Sequence, residues 1–388
     1  MKILAVTGNR ADYDLMSYLY KLLEQDREIE FRVLVTGAHL SPAFGYSKNA
    51  IDKDGLTILG EIENILNADS RKSRIKAASI FMMNAIDLID SFRPDLMILA
   101  GDREEVLAGG MLGAYLSIPT IHFFGGDFVA DGHVDNLARH SVSKLATYHF
   151  VSIEEHKRRL ISMGEEEDRI YVIGNPGLDK FTTEPLVERE ALMNRLGIEG
   201  FGEYAILIYH SPPDISGEND EIENIFKALE ANRVKVVVGG TNTDYNHEAV
   251  KKVFDRYRSH KDFFFYQNLD RNLFINLYRN AKFQIGNSSA GILESASIPI
   301  PVINVGMRQT KRRAQKNVVF VDGQLEKIDN AIKKVTNPSF LQEISSIQNE
   351  YGDGNSSERA YELIKHLDLK KNLFKTYDPL SGIERSSL

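Results

Sequence analysis

Short apolar runs alternate with longer amphipathic stretches from the amino terminus onward, as they do where parallel strands are joined by helices. Ile3–Thr7, Phe31–Thr36, Leu96–Ala100, Pro119–Phe124 and Thr147–Ser152 read as strands, and Tyr13–Glu24, Glu104–Leu116 and Val134–Ala146 as helices. The strand runs are apolar throughout, so both faces of the sheet are expected to be covered. The rhythm breaks at Gly174-Asn175-Pro176-Gly177, where turn formers cluster. After a charged helix-like stretch, Val187–Leu196, a second series begins. Its strands are Tyr204–Tyr209, Val234–Val238, Asp262–Tyr266, Ala281–Ile285 and Pro301–Asn304. Its helices are Asp220–Glu230, Asn246–Arg258, Arg271–Arg279 and Gly291–Ala296, with Asn355–Leu367 as a last helix. The expected fold is α/β, with two Rossmann-like, doubly wound domains facing a cleft. They take residues 1–176 and 177–370, and 371–388 form a weakly ordered tail. In open sheets of this kind ligands collect outside the carboxyl ends of the strands, so polar clusters at those ends are the places to search.

Composition narrows the possibilities. The 388 residues suit about two or three domains, and 43% hydrophobic content lets each bury a core. Lys and Arg number 47 against 55 Asp and Glu, a net charge of −8. No basic excess is there to neutralise phosphate backbones, so no nucleic-acid partner is expected. Cysteine is absent, which removes thiol nucleophiles, disulfides and thiolate metal sites and suits a reducing cytoplasm. The 10 histidines show no His-Glu-x-x-His or similar ligand spacing, so no metal is expected. The amino-terminal apolar run is too short for a signal peptide and soon meets Arg10, and no apolar stretch would span a bilayer. A cytoplasmic protein without membrane contact is expected.

Several polar clusters fall at predicted strand ends. Thr7-Gly8-Asn9-Arg10-Ala11-Asp12-Tyr13 follows the first strand and opens a helix. Free amides and the Arg10 guanidinium there favour an anion; the plain alternative is a helix entry capped by Asp12. Gly101-Asp102-Arg103-Glu104-Glu105 follows Leu96–Ala100. Asp102 reads as a cleft carboxylate with Arg103 beside it, or else as a cap, while Glu104 and Glu105 suit the helix dipole. His122-Phe123-Phe124-Gly125-Gly126-Asp127 puts Asp127 at the mouth after two glycines; a simple Gly-Gly turn is the alternative, and His122 reads as a satisfied core histidine. Asp135 and Arg139 share a helix face, as an ordinary ion pair or as a positioned carboxylate with its counter-charge. Asp102, Asp127 and Asp135 together suit proton abstraction beside a poorly acidic carbon.

In the second domain His210-Ser211-Pro212-Pro213-Asp214 ends a strand with a histidine able to change charge near pH 7. Gly286-Asn287-Ser288-Ser289-Ala290-Gly291-Ile292-Leu293-Glu294 combines hydroxyls, small residues and amides where a diphosphate could sit. Glu294 could accept ribose hydroxyls there. It is neither a Walker loop nor a Gly-x-Ser-x-Gly elbow. The basic run Met307–Arg313 is a solvated charge run or a phosphate contact, and its strand-end position favours phosphate.

In this order the motifs resemble the hydrolysing UDP-N-acetylglucosamine 2-epimerases of sialic acid and nonulosonate pathways. The resemblance rests on Thr-Gly-Asn-Arg-Ala-Asp-Tyr, Gly-Asp-Arg-Glu, Gly-Gly-Asp, Asp-Asn-x-x-Arg-His, Gly-Asn-Ser-Ser-x-Gly and Asn-x-Gly-x-Arg-Gln-x-x-Arg, from Thr7 to about Val321. It implies a glycosyltransferase-B-like pair of domains, commonly a homodimer or homotetramer, and no redox cofactor or metal. It also implies a nucleotide-sugar substrate, typically UDP-N-acetylglucosamine, converted with water to the free 2-epimer, N-acetylmannosamine in the type reaction, and UDP. By this similarity Asp102, Asp127, Asp135 and His210 match catalytic positions. Arg10, Arg103, Asn242, Ser288, Ser289, Glu294 and Arg308 match nucleotide-binding positions, and Arg139 the arginine that holds the catalytic carboxylate or the diphosphate. The sequence departs from the family in having Gly-Gly-Asp for Gly-Gly-Glu, Asn136 for a second acid and Lys311 for a glycine. The first two leave the hexosamine open, a 2,4-diacetamido-trideoxy sugar or a different nucleotide included. A glycosyltransferase on the same architecture and a non-catalytic nucleotide-sugar sensor stand as alternatives.

Overall fold

Alternate residues along each central strand enter different cores, which is why those runs are apolar throughout. In β1 (Lys2–Thr7) Ile3 and Ala5 join one cluster, and Leu4 and Val6 join another. In β4 (Leu96–Ala100) Leu96 and Ile98 face the first, Met97 and Leu99 the second. Each such Leu or Ile taken from water contributes about 1.5–3 kcal/mol. The computed structural model describes residues 1–66, 70–129, 134–211, 220–240, 247–267, 269–370 and 373–380.

The first sheet also contains β2 (Glu30–Thr36), β3 (Ile58–Ile62), β5 (Thr120–Phe123), β6 (Tyr148–Val151) and β7 (Ile170–Val172). It is parallel, in the order β3-β2-β1-β4-β5-β6-β7. The second comprises β8 (Ala205–Ile208), β9 (Val236–Gly239), β10 (Phe263–Tyr266), β11 (Gln284–Gly286), β12 (Val302–Val305) and β13 (Val318–Val321). It too is parallel, ordered β10-β9-β8-β11-β12-β13. Strand order reverses at β1/β4 in the first sheet and at β8/β11 in the second, the points where open α/β sheets take ligands.

Three strands escape the sequence reading, β3, β7 and β13, and each is an edge strand. β3 and β13 are half-exposed, so their apolar signal is thin, and β7 spans only 3 residues. The helix Arg71–Phe92, closed at its start by a Ser70/Ser73 capping box, was also not expected. Its outer face carries Ile75, Met83 and Ile86, exposed 70%, 75% and 40%, which blur an amphipathic stripe. The predicted helix Gly291–Ala296 is instead a single α turn, Ala290–Leu293, followed by a 3-10 turn, Ser295–Ser297.

The chain forms two units. One takes Met1–Asp127, Val134–Asp179 and Gly354–Leu388, the other Phe128–His133 and Lys180–Asp353. The linear division into 1–176 and 177–370 is therefore corrected for the last helix, Ser356–His366, which belongs to the first unit. Its Ala360 and Ile364 complete the core around Leu19 and Leu23. Fully buried Asp179 accepts the Ser356 and Ser357 backbone N–H groups at 3.0 and 2.6 Å, and Arg359 Nε donates to the Ile173 carbonyl at 2.9 Å. Residues 373–380, part of the expected tail, make specific contacts with the rest of the first unit. Arg169 Nη2 donates to the Phe374 carbonyl at 2.9 Å. Lys375 donates to the Ser143 carbonyl at 2.9 Å and pairs with buried Glu165. Among the described residues no helix is long and apolar enough to cross a membrane.

Candidate functional site

In the first unit the carboxyl end of β4 turns through Gly101-Asp102-Arg103 into the helix Glu104–Tyr115. Asp102 is not the cap of that helix, since the N-cap position is Arg103 and makes no side-chain cap bond. Its carboxylate is taken by Nη2 of Arg139, from the helix Asp135–Leu145. Arg139 is 3% exposed, and its Nη1 donates to the Asn136 Oδ1 at 3.0 Å and to the Asp127 carbonyl at 3.3 Å. One buried guanidinium thus joins Asp102, the turn that carries Asp127 and the helix that begins at Asp135. A charge-assisted contact of this kind fixes geometry as well as charge.

Asp127 reaches its place through backbone no ordinary residue would adopt. Gly126 has φ +76°, and a Cβ on it would collide with the His156 carbonyl. Nη1 of Arg159 donates to the Gly126 carbonyl, and His156 Nε2 lies 3.5 Å from the Asp127 Oδ1. His122 is the expected satisfied core histidine, and its partners show what it supports. Its Nε2 meets the Gly101 carbonyl at 2.8 Å, and Nδ1 faces the Ser143 hydroxyl at 3.0 Å. Burial pushes the imidazole down to about 3, so it stays neutral. A carbonyl can only accept, which puts the ring proton on Nε2.

At the end of β1 the structure changes three assignments. The helix Arg10–Gln25 is capped by Asn9, whose side chain accepts from the Asp12 N–H at 3.1 Å. Freed from the capping role, Asp12 accepts from Asn9 Nδ2 at 2.6 Å. Burial and the nearby Glu105 push its carboxyl up to about 7, with Arg103 and the Asn9 bond pulling back. Glu104 and Glu105 are more than dipole partners. Arg74 grips Glu104 at 2.6 and 3.2 Å, and buried Glu105 lies 3.4 Å from Arg103 Nε. Arg10 sits on the first turn, its Nε 3.2 Å from the Asp14 Oδ2.

In the second unit β8 and β11 end side by side, with Gly286 opposite Ile208. Gly286 has φ +131°, where a Cβ would run into the Ile208 carbonyl. Beyond it, Asn287 makes a two-point contact with the His210 backbone. Its Oδ1 accepts from the His210 N–H at 2.7 Å, and its Nδ2 donates to the His210 carbonyl at 2.8 Å. The Asn287 carbonyl accepts from Arg308 Nη1 at 3.2 Å and Gln309 Nε2 at 3.1 Å. Arg312 Nη1 donates to the Gln309 Oε1 at 2.7 Å. Ser288 and Ser289 follow directly, with the Ser288 hydroxyl accepting from the Ala290 N–H at 3.3 Å. The single α turn here, Ala290–Leu293, is too short to offer a helix dipole to an anion. Glu294, expected to meet ribose, is paired with Lys180 at 2.6 Å, both side chains about one-tenth exposed.

The structure therefore groups Asp102, Asp127 and Arg139, with Asp135 heading the same helix as Arg139, and separately His210, Ser288, Ser289 and Arg308. Asn242, Pro212 and Pro213 lie outside the described residues. Sequence reasoning missed Asp12 as a strongly shifted carboxyl, His156 beside Asp127, and Asn287 as a joint. Asp12 and Asn287 lay inside quoted motifs, but His156 had no local signal. Among the described residues no group of three or more His, Asp or Glu side chains is arranged to hold a metal ion.

Comparison with known proteins identifies the family. The UDP-N-acetylglucosamine 2-epimerase family model matches residues 21–365. The chain is 34% identical over 373 residues to the hydrolysing UDP-N,N'-diacetylbacillosamine 2-epimerase of Legionella pneumophila, covering 96% of this chain and 97% of that protein. It is 31% identical over 346 residues to the hydrolysing GDP/UDP-N,N'-diacetylbacillosamine 2-epimerase of Campylobacter jejuni, covering 88% and 89%. The fold matches the crystal structure of the Neisseria meningitidis UDP-GlcNAc 2-epimerase bound to UDP-GlcNAc, with TM-score 0.80, 19% identity and coverage of 95% and 100%. A match over almost nine-tenths of its length, with two relatives above 30% identity, means that this chain belongs to the UDP-N-acetylglucosamine 2-epimerase family.

Proposed function

We propose that this protein is a hydrolysing nucleotide-sugar 2-epimerase that converts a UDP-linked 2-acetamido sugar and water into UDP and the free 2-epimer. The observation that carries the reading is the end-to-end similarity to two hydrolysing 2-epimerases. The carboxylates ordered around Arg139 fit the chemistry. One carboxylate of the set Asp102, Asp127 and Asp135 removes the proton at C2. The C–H electrons form a C1–C2 double bond as the C1–O bond breaks and UDP departs with that pair. Water then adds its oxygen to C1, and a proton returns to C2 from the opposite face, so atoms and charge balance. His210 assists at the same reaction. Ser288, Ser289, Arg308, Arg10, Arg103 and Asn242 hold the nucleotide, with Glu294 toward its ribose, and Arg139 orients the acids.

Between candidate sugars the reading favours a 2,4-diacetamido-2,4,6-trideoxyhexose over N-acetylglucosamine. Both relatives quoted above act on such a sugar by name, and Asp127 supplies a shorter acid than Glu at the turn facing it. The free product is what a nonulosonate-forming condensation consumes. We place the enzyme in the cytoplasm as a homodimer or homotetramer. The test is proton NMR in heavy water with UDP-N,N'-diacetylbacillosamine and, separately, UDP-N-acetylglucosamine. Deuterium at C2 of a released, inverted sugar, formed without an acceptor, is the expected outcome, faster with the first substrate. Transfer only to an added acceptor would indicate a glycosyltransferase, and tight binding without turnover a sensor.

A further inference from the structure

Asn287 has every polar group of its residue engaged within one small region. It is 1% exposed, its N–H donates to the Ile208 carbonyl at 3.2 Å, its amide clasps both peptide groups of His210, and its carbonyl accepts from Arg308 and Gln309. The last ladder pair of β8 and β11 is Ile208 with Gly286. One step later the strands would part, and the Asn287 side chain extends the pairing by imitating a peptide. Only a primary amide presents a donor and an acceptor side by side for this. An aspartate in the same volume keeps the acceptor but turns a second oxygen toward the His210 carbonyl. An alanine leaves both peptide groups to find water or stay unpaired.

We propose that Asn287 is a positioning residue, its amide setting the His210 backbone, and so the imidazole, while its carbonyl ties that setting to the Arg308–Gln309 segment. The inference rests on the reading of His210 as a group that acts in the reaction. A pure loop staple would cost stability and nothing else. A positioning residue costs turnover through His210 and leaves the nucleotide contacts largely as they were.

A double-mutant cycle separates the two. Asn287→Asp should lower kcat about 100-fold, the usual consequence of displacing a reacting group by about an ångström, with the UDP dissociation constant by calorimetry changing less than about 3-fold. In a His210→Asn background the same Asn287→Asp change should cost little, because residues acting as a unit are not additive. The pH profile of kcat should lose, in Asn287→Asp, the limb that His210→Asn removes. Equal fold-losses in the two backgrounds, or an unaltered kcat with a lowered Tm alone, would overturn the proposal. If Asn287→Ala does not fold, the near-isosteric Asn287→Asp cycle still decides. Absence of turnover in the wild-type protein would instead sink the functional reading, a result distinct from additivity in an active enzyme.

Discussion

Asp102 is held by Arg139, a residue thirty-seven positions further on, and this sets what a substitution should do. Asp102→Asn keeps the volume and a hydrogen-bonding oxygen for the guanidinium but removes one of the three carboxylates proposed for the proton transfer. Turnover should fall by about 10²–10⁴-fold, the range for a lost general acid or base, with UDP affinity by calorimetry retained; equal loss of both would assign Asp102 to binding. Gly126 gives a second test at a single position. Gly126→Ala must place a Cβ against the His156 carbonyl at φ +76°, so chemical denaturation should show a loss of about 1–3 kcal/mol or more.

Single positions were legible where chemistry and place coincide. Asp102, Asp127, Ser288 and Arg308 all stand just past a strand that the apolar runs announced. Roles set by distant partners were not. Asp12 read as the cap because it lies at a helix start, yet Asn9 three residues earlier wins that role and leaves a half-buried carboxylate near Glu105. His156 comes to Asp127 only through the fold. At the level of strands and helices the same logic holds: central strands are buried on both faces and declare themselves, whereas the edges β3, β7 and β13 do not. The packing of the Arg10–Gln25 helix start against the β4 turn has a pH signature. Asp12 holds its proton up to about 7 when folded, against an ordinary value of 3.8. The folded state therefore binds the extra proton between those values, and this group's contribution to stability declines as pH rises through them. His122, held down to about 3 from 6.5, acts in the opposite sense, its contribution being lost as pH falls below 6.5. Asp12→Asn should accordingly raise Tm relative to wild type at pH 8 but not near pH 4; a constant offset across that range would refute the assignment.

Taken together, the two units differ in how the chain builds them. Most of the second is one uninterrupted stretch, Lys180–Asp353, whereas the first is closed by Gly354–Leu388. Ending the chain before Gly354 would uncover Leu19 and Leu23, strip Asp179 of both N–H partners and remove Lys375 from Glu165. Such a truncation should leave a protein whose first unit fails to give a cooperative thermal transition, while Lys180–Asp353 retains protected amides in hydrogen exchange.

That return of the chain has a consequence during synthesis. A ribosome releases Lys180–Asp353 before it releases the helix that closes the first unit, so the carboxylate-bearing unit waits, incomplete, for its own ending. A stop codon before Ser356 would therefore leave the unit that carries Asp102 without its closing helix, although Asp102 itself is encoded far upstream.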